Sequence, residues 1–131
     1  MGYEVNVIIC TLGSPDEAGL SYASKIGSFD LCKVDLALSN IHEDKASKVL
    51  IDSGVIKKPI PVYYYGDDGN THIKVDLYGK PLYALDTGLL LSELKEKAAK
   101  DGYRRYPPLI AILESMIEVW GEEFYVILFG H

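Results

Sequence analysis

The chain has 131 residues, of which 48% are hydrophobic and 24% are charged, and its formal net charge is -6. This length and composition predict one globular domain with its own hydrophobic core and leave no room for two. The acidic balance provides no general basic surface for phosphate backbones, so we expect no nucleic-acid partner.

The sequence carries no signature of a membrane or secreted protein. Its first residues have no basic region, and no apolar run approaches the roughly 20 residues that a bilayer span needs. Cys10 and Cys32 lie within apolar segments, which is typical of small buried side chains rather than of a disulfide framework. The histidines and cysteines show no metal-ligand spacing, so we expect no metal and no other cofactor. Glutamine is absent, as in some heat-adapted proteins. We predict a cytoplasmic protein.

The first half of the chain alternates between strand and helix patterns. Val5 to Cys10 is an apolar run typical of a strand covered on both faces. Ser14-Pro15-Asp16-Glu17 has the form of a capping box, which predicts a helix that stops at Gly27. Leu31 to Leu38 predicts a second strand, and residues 42–52 predict a second helix that ends at Gly54.

The second half begins with a hairpin pattern. Two β-rich runs, residues 61–65 and 71–78, flank the turn sequence Gly66 to Asn70. Two helices are predicted next, over residues 87–100 and 109–120, because their apolar residues recur at helical spacing. Tyr103 to Pro108 between them is the most linker-like segment. The apolar run Phe124 to Phe129 predicts a last strand that is buried on both faces.

The predicted order β-α-β-α-β-β-α over residues 5–100 is accompanied by local features in a fixed sequence. These are Gly54-Val55, Pro59 and Pro61, the strand Val62 to Tyr65, the turn Asp67-Asp68-Gly69, Gly79, and a helix with Leu90 and Leu94. In this order they resemble the thioredoxin and glutaredoxin family. The resemblance implies an α/β fold with a single domain over residues 1–131. Residues 1–102 would form a thioredoxin-like core, and residues 103–131 would add a C-terminal helix and strand.

The thiol pair of that family is missing. Its nucleophilic cysteine lies at the start of the first helix, where this chain has Ser14 to Ala18. In adjacent parallel strands Cys10 and Cys32 would lie about 15 Å or more apart at ~3.3 Å per residue, beyond the ~7 Å between Cα atoms that a disulfide allows. The resemblance therefore implies a redox-inactive binding or assembly module rather than an enzyme. It also makes a cis peptide bond at Pro59 or Pro61 a candidate feature of a peptide-binding lip.

Two other functions stay open from the residues. Thr11-Leu12-Gly13-Ser14, between the first strand and the first predicted helix, is placed like a phosphate-binding loop. It resembles the corresponding loop of Rossmann-like domains that bind or sense nucleotides. Cys10, at the end of the first strand, is the candidate thiol of an oxidoreductase, although no Lys, Arg or His lies beside it in the sequence to lower its pKa.

Aromatic and charged residues in two further segments are candidates for binding a partner. Tyr63, Tyr64 and Tyr65 alternate across a strand, so at least one faces each side of the sheet. Arg104 and Arg105 are flanked by tyrosines and either contact a partner or join the C-terminal extension to the body of the domain. The candidate binding residues are Thr11, Gly13, Ser14, Pro59, Pro61, Tyr63, Tyr65, Arg104 and Arg105.

The last predicted strand also bears on assembly. An exposed apolar strand invites pairing with other chains, so Phe124 to Phe129 must be covered on both faces. Either a helix of the same chain or a partner subunit can cover the second face of this strand. We therefore expect a protein partner or self-association, with a symmetric dimer as the preferred form.

Overall fold

The structure is a computed structural model that describes residues 4–31, 45–55, 57–121 and 124–131. Within these residues the chain forms six strands and three helices. In chain order they are β1 (Val5–Pro15), β2 (Ser21–Leu31), α1 (Lys45–Asp52), β3 (Ile60–Tyr65), β4 (His72–Ile73), β5 (Tyr83–Leu85), α2 (Thr87–Asp101), α3 (Tyr106–Trp120) and β6 (Tyr125–Gly130).

The strands form a single sheet that closes on itself. Its order is β2-β1-β6-β5-β3-β4, and each neighbouring pair in this order is antiparallel. A further parallel pairing joins β2 to β3, with Ser21 opposite Val62 and Tyr22 opposite Tyr63. Strands β1, β2, β3, β5 and β6 therefore form a closed five-stranded barrel, and β4 extends the sheet beyond β3.

Alternation along the strands separates the apolar side chains into two clusters, one outside the barrel and one inside it. On β1, Val5 and Val7 pack outward beneath the helices, whereas Ile8 and Cys10 pack into the barrel. The outer cluster includes Leu90 and Leu94 of α2, Leu109 and Leu113 of α3, and Val126 of β6. The inner cluster includes Ala23, Val62, Leu82, Ala84 and Ile127.

Local signals explain the two long helices. The Asp86 side chain caps α2 by accepting a hydrogen bond from the Gly88 amide at 2.8 Å, and Gly102 ends the helix with φ 68°. Prolines in the first turn of α3 occupy positions whose amides have no partner within the helix. No helix within the described residues combines the length and the apolar character needed to cross a bilayer.

The predicted thioredoxin-like α/β fold is wrong, and the error begins at the first predicted helix. The chain turns after β1 and returns as β2, antiparallel to β1. Asp16 Oδ1 accepts hydrogen bonds from the amides of Ala18 at 2.9 Å and Leu20 at 3.0 Å, and Gly19 closes the turn with φ 79°. The apparent capping box is thus an Asp-centred hairpin turn, since Pro, Asp and Gly favour both kinds of site.

Several other predicted elements are present, with changed bounds. Leu31 ends β2, and the rest of the strand predicted at Leu31 to Leu38 lies outside the described residues, as does the start of the helix predicted at residue 42. The hairpin around Gly66 to Asn70 is antiparallel as predicted, but β4 has only two residues. Beyond it, Val75 forms an isolated bridge with Pro81.

The last strand has a different setting from the one predicted for it. The sequence predicts it as an addition to a thioredoxin-like core, whereas β6 lies within the sheet, between β1 and β5. Both faces are covered by this chain, because Val126 packs under the helices and Ile127 packs inside the barrel. No partner subunit is therefore needed to cover this strand, so its apolar sequence no longer supports the predicted dimer. Self-association stays a prediction.

Candidate binding site

One end of the barrel opens into a cleft of about 530 Å³, which we call the barrel mouth. It lies where β1 ends and where β2, β3 and β6 begin. Leu12, Ile60 and Tyr125 continue the inner apolar cluster, so the mouth has an apolar floor. Its lining residues are Thr11, Leu12, Gly13, Pro15, Ser21, Ile60 and Tyr125.

An aromatic group lies beside the mouth on the outer surface of the barrel. It consists of Tyr22, Tyr63, Tyr65 and His72, which we call the tyrosine patch. The ring centroid of Tyr22 lies 5.8 Å from that of Tyr63 and 5.3 Å from that of Tyr65. Tyr63 and Tyr65 are 5.9 Å apart, and the imidazole of His72 lies 4.8 Å and 4.9 Å from these two rings. Such separations with tilted or perpendicular planes are favourable for aromatic pairs.

The register of the sheet brings these residues together. Tyr22 stands opposite Tyr63 in the parallel pairing that closes the barrel, and Tyr65 stands opposite His72 in the β3–β4 hairpin. Tyr63 and Tyr65 share the outer face of β3 because they are two residues apart. Tyr64 points to the other side, where its ring lies 6.2 Å from that of Phe129. The patch therefore exists because the barrel is closed.

Three of the four rings, those of Tyr22, Tyr65 and His72, are open to solvent, and the fourth, Tyr63, has a raised pKa. Tyr22 is 38% exposed and Tyr65 is 43% exposed. The pKa of Tyr63 is raised because its surroundings remove water, and the hydroxyl of Tyr65 and the negative charge of Asp16 add to this effect. The phenolate form of Tyr63 is therefore disfavoured, so this ring stays uncharged beside the acidic Asp16.

A carboxylate holds the turn that positions His72. Asp68 Oδ1 accepts hydrogen bonds from the amides of Asn70 at 2.9 Å and Thr71 at 2.8 Å, and its Oδ2 accepts from the Thr71 hydroxyl. These hydrogen bonds favour the ionised carboxylate and lower the pKa of Asp68 to about 2. The turn orders the β3–β4 hairpin and so helps to place His72 against Tyr65.

Cys10 has the environment of a core residue. Its side chain is buried inside the barrel, and burial raises the pKa of the thiol to about 12. The thiol is therefore protonated at neutral pH, whereas a nucleophilic cysteine needs the thiolate. This environment opposes the hypothesis of an oxidoreductase that acts through Cys10. Cys32 lies outside the described residues.

The first predicted binding segment lies in a strand rather than in a loop. Thr11 and Gly13 line the barrel mouth, and Ser14 is exposed on β1 between Gly13 and Pro15. This part of β1 pairs with β2 and leads into a hairpin turn. The strand-loop-helix junction on which nucleotide binding was argued is not present at residues 11–20, so that hypothesis loses its structural basis.

The predicted prolines and arginines have different positions. Pro61 lies in β3 opposite Tyr83, Pro59 precedes this strand, and no cis peptide bond occurs in the described residues. Arg105 donates a hydrogen bond to the backbone oxygen of Asp30 at 2.8 Å, which joins the α2–α3 connection to β2. Asp30 stands opposite Asn6 on β1, five residues from Thr11 or about 17 Å along the strand. Arg104 is exposed in the same connection as Arg105.

The structure thus groups part of the predicted site and adds residues to it. Thr11, Gly13, Tyr63 and Tyr65 lie at the mouth and the patch, whereas Arg105 contacts a distant part of the barrel. Sequence reasoning missed Tyr22 and His72 as members of the site. The β-rich run 71–78 contained His72, but the predicted helix over residues 15–26 contained Tyr22, so the contact of Tyr22 with Tyr63 and Tyr65 could not be foreseen.

Metal chemistry and known relatives give no further guide to this site. Among the residues that the structure describes, no three His, Cys, Asp or Glu side chains are grouped so as to hold a metal ion. No protein-family model, curated protein or solved structure matches the chain. The geometry of the mouth and the patch is therefore the basis for assigning a function.

Proposed function

We propose that the protein is a binding module that uses the tyrosine patch and the adjoining barrel mouth to hold a protein partner. The observation that carries this proposal is the meeting of four aromatic side chains from three strands on an outer surface where three of them are exposed. Tyrosine is enriched at protein interfaces because its ring buries a large area while its hydroxyl stays hydrogen-bonded.

The barrel mouth adds a cleft to this binding surface. Pro15 and Ser21 line the mouth, and the next residues in the chain are Asp16 and Tyr22 at the edge of the patch. A partner that covers the patch therefore has an apolar recess directly beside it. Clefts of this size with an apolar floor are common binding sites at the ends of barrels. The cytoplasmic location predicted from the sequence is part of this proposal.

The test is a comparison of captured partners between matched variants. Immobilised wild-type protein, the double variant Tyr22→Ser/Tyr65→Ser and the control Tyr78→Ser are incubated with extract from the native organism. Tyr78 is an exposed tyrosine outside the patch. We expect the double variant to capture at least about tenfold less of the specific partner, as for loss of two interface tyrosines, and the control to match the wild type.

Two further measurements complete this test. Sedimentation of the purified proteins shows whether the partner is a second copy, because a patch-mediated dimer would become monomeric in the double variant. Circular dichroism verifies that all three proteins are folded. Equal capture by folded wild-type and double-variant proteins, with no difference in sedimentation, would contradict the proposed function.

A further inference from the structure

The tyrosine patch is bordered by negative charge. Asp16 is the first residue of the β1–β2 turn, and its charge acts on Tyr63. The β3–β4 turn, which follows Tyr65 in the chain, exposes two further carboxylates, Asp67 and Asp68. The whole chain has a formal net charge of -6. A positively charged group that approaches the patch is therefore attracted to it.

The rings themselves favour the same sign of charge. The face of a tyrosine ring attracts cations within about 6 Å of its centre through the ring quadrupole. The Tyr22, Tyr63 and Tyr65 planes are tilted by 52°, 49° and 87° to one another, so they offer faces in several directions around one point of the surface. An arrangement of several aromatic faces beside a carboxylate suits a cationic side chain.

The chain already makes one such contact at the barrel mouth. The Lys57 ammonium lies 5.0 Å from the centre of the Tyr125 ring, which lines the mouth. The ring of Tyr125 therefore already has a cation against it, and that charge repels a second one. An incoming cation is directed instead to the patch and Asp16.

We propose that the tyrosine patch binds a lysine or arginine side chain of a protein partner, with the cation on the rings of Tyr22, Tyr63 and Tyr65 and with Asp16 as the counter-charge. This inference rests on the proposed function and names the chemistry of the partner. Asp16 is suited to the role because two backbone hydrogen bonds to its Oδ1, from Ala18 and Leu20, hold the carboxylate in place.

The binding experiment uses peptides of defined charge. Hexa-arginine, hexalysine and hexaglutamate are titrated into the full chain at about pH 8, where histidine side chains are ordinarily neutral, and tyrosine ring resonances are followed by NMR. We expect both basic peptides to produce saturable shifts in Tyr22, Tyr63 and Tyr65, and hexaglutamate to produce none. Shifts spread over distant tyrosines, without preference for these three, would overturn the proposal.

Charge variants separate the specific site from general attraction to an acidic protein. Asp16→Asn removes the charge but keeps the Oδ1 acceptor of the turn, and Glu118→Gln removes an equivalent exposed charge from α3. We expect Asp16→Asn to weaken binding of hexa-arginine about fivefold, the size of a favourable surface charge interaction, and Glu118→Gln to change it less than twofold. Equal effects of the two variants would contradict the proposal.

Ring variants give an independent readout. Tyr65→Leu keeps an apolar side chain and removes the aromatic face, whereas Tyr78→Leu makes the same change outside the patch. We expect only the first to weaken hexa-arginine binding, by at least about threefold for one exposed cation–π contact. If patch variants lose the natural partner but the basic peptides never bind, the proposed function stands and this inference fails. If neither binding exists, both fail.

Discussion

The barrel presents two outer faces that are built from different side chains. Beneath α2 and α3, Val5 and Val7 are completely buried against Leu109 and Leu113. On the face formed by β2, β3 and β4, Tyr22 and Tyr65 keep a substantial exposed area. Aliphatic side chains have no polar atom and are most stable when buried from water, whereas a tyrosine can pack its ring and leave its hydroxyl in water. The first face holds the fold together, and we assign recognition to the second.

Removing β6 should produce the largest loss of stability, because one face of this strand packs under the helices and the other face packs inside the barrel. Ending the chain after Gly121 separates β1 from β5 and opens the barrel. We expect this variant to show no cooperative thermal transition, while Tyr22→Ser/Tyr65→Ser keeps a sharp one. Differential scanning calorimetry makes the comparison. A sharp transition in the shortened chain would mean that β6 is an accessory strand.

Two neighbouring residues on α3, one buried and one exposed, test the same contrast within a single helix. Leu113 is completely buried, and Ile112 is 39% exposed. We expect Leu113→Ala to lower the free energy of unfolding by about 2–5 kcal/mol, as for a large buried aliphatic side chain. Ile112→Ala should cost less than about 1 kcal/mol. Urea unfolding measures both values, and similar losses would show that the helix does not pack as described.

The pH dependence of the unfolding free energy tests whether Cys10 is buried inside the barrel. The folded state raises the pKa of its thiol from 9.0 to about 12, so the folded chain holds this proton more tightly than the unfolded chain. The stabilisation is fully present below about pH 9 and is lost as the pH rises towards about 12. We expect the difference in unfolding free energy between wild type and Cys10→Ala to fall between about pH 9 and pH 12.

A reactivity measurement checks the same burial directly. In a Cys32→Ser background at about pH 8, a thiol reagent should modify Cys10 only after urea unfolds the protein, because the folded thiol is protonated and buried. Fast modification of the folded chain would contradict this account of the interior and would support a reactive thiol.

The smallest expected effect on stability comes from Asp68, which lies in the β3–β4 turn on the exposed face. Because the pKa of its carboxyl is lowered from 3.8 to about 2, its contribution is present above about pH 4 and is lost as the pH falls through about 2. Asp68→Ala should remove this acid dependence and speed exchange of the Thr71 amide hydrogen, because alanine has no side-chain acceptor, whereas Asp67→Ala should do neither. Hydrogen exchange measured by NMR distinguishes them, and equal behaviour of the two variants would exclude the Asp68 hydrogen bonds.

Sequence reasoning succeeded where the signal is local. The α2 helix is marked by apolar spacing and by Gly102 at its end, and the β3–β4 hairpin is marked by the turn at Gly66 to Asn70. It failed at Ser14 to Glu17, because an Asp-centred turn and a helix start use the same residues. The strand beyond this turn contains Gly27 and a register shift, which weaken its alternating pattern.

The candidate site was predictable only in part for a similar reason. Tyr63 and Tyr65 were predicted from their own strand, but their neighbours come from the register of other strands. Tyr22 reaches them through the parallel pairing of β2 with β3, which has two residue pairs and no local sequence signal. A contact between residues about 40 positions apart depends on how the whole sheet closes, and periodicity within one segment does not encode it.

Closure of the barrel through β2 and β3 is the central claim, because the tyrosine patch depends on it. The most direct measurement is a set of nuclear Overhauser contacts in the full chain, with the β1–β2 contacts as an internal reference. The account predicts backbone contacts between Ser21 and Val62 and between Tyr22 and Tyr63, together with ring contacts between Tyr22 and Tyr65. Absence of these contacts in a folded protein that shows the β1–β2 set would contradict it.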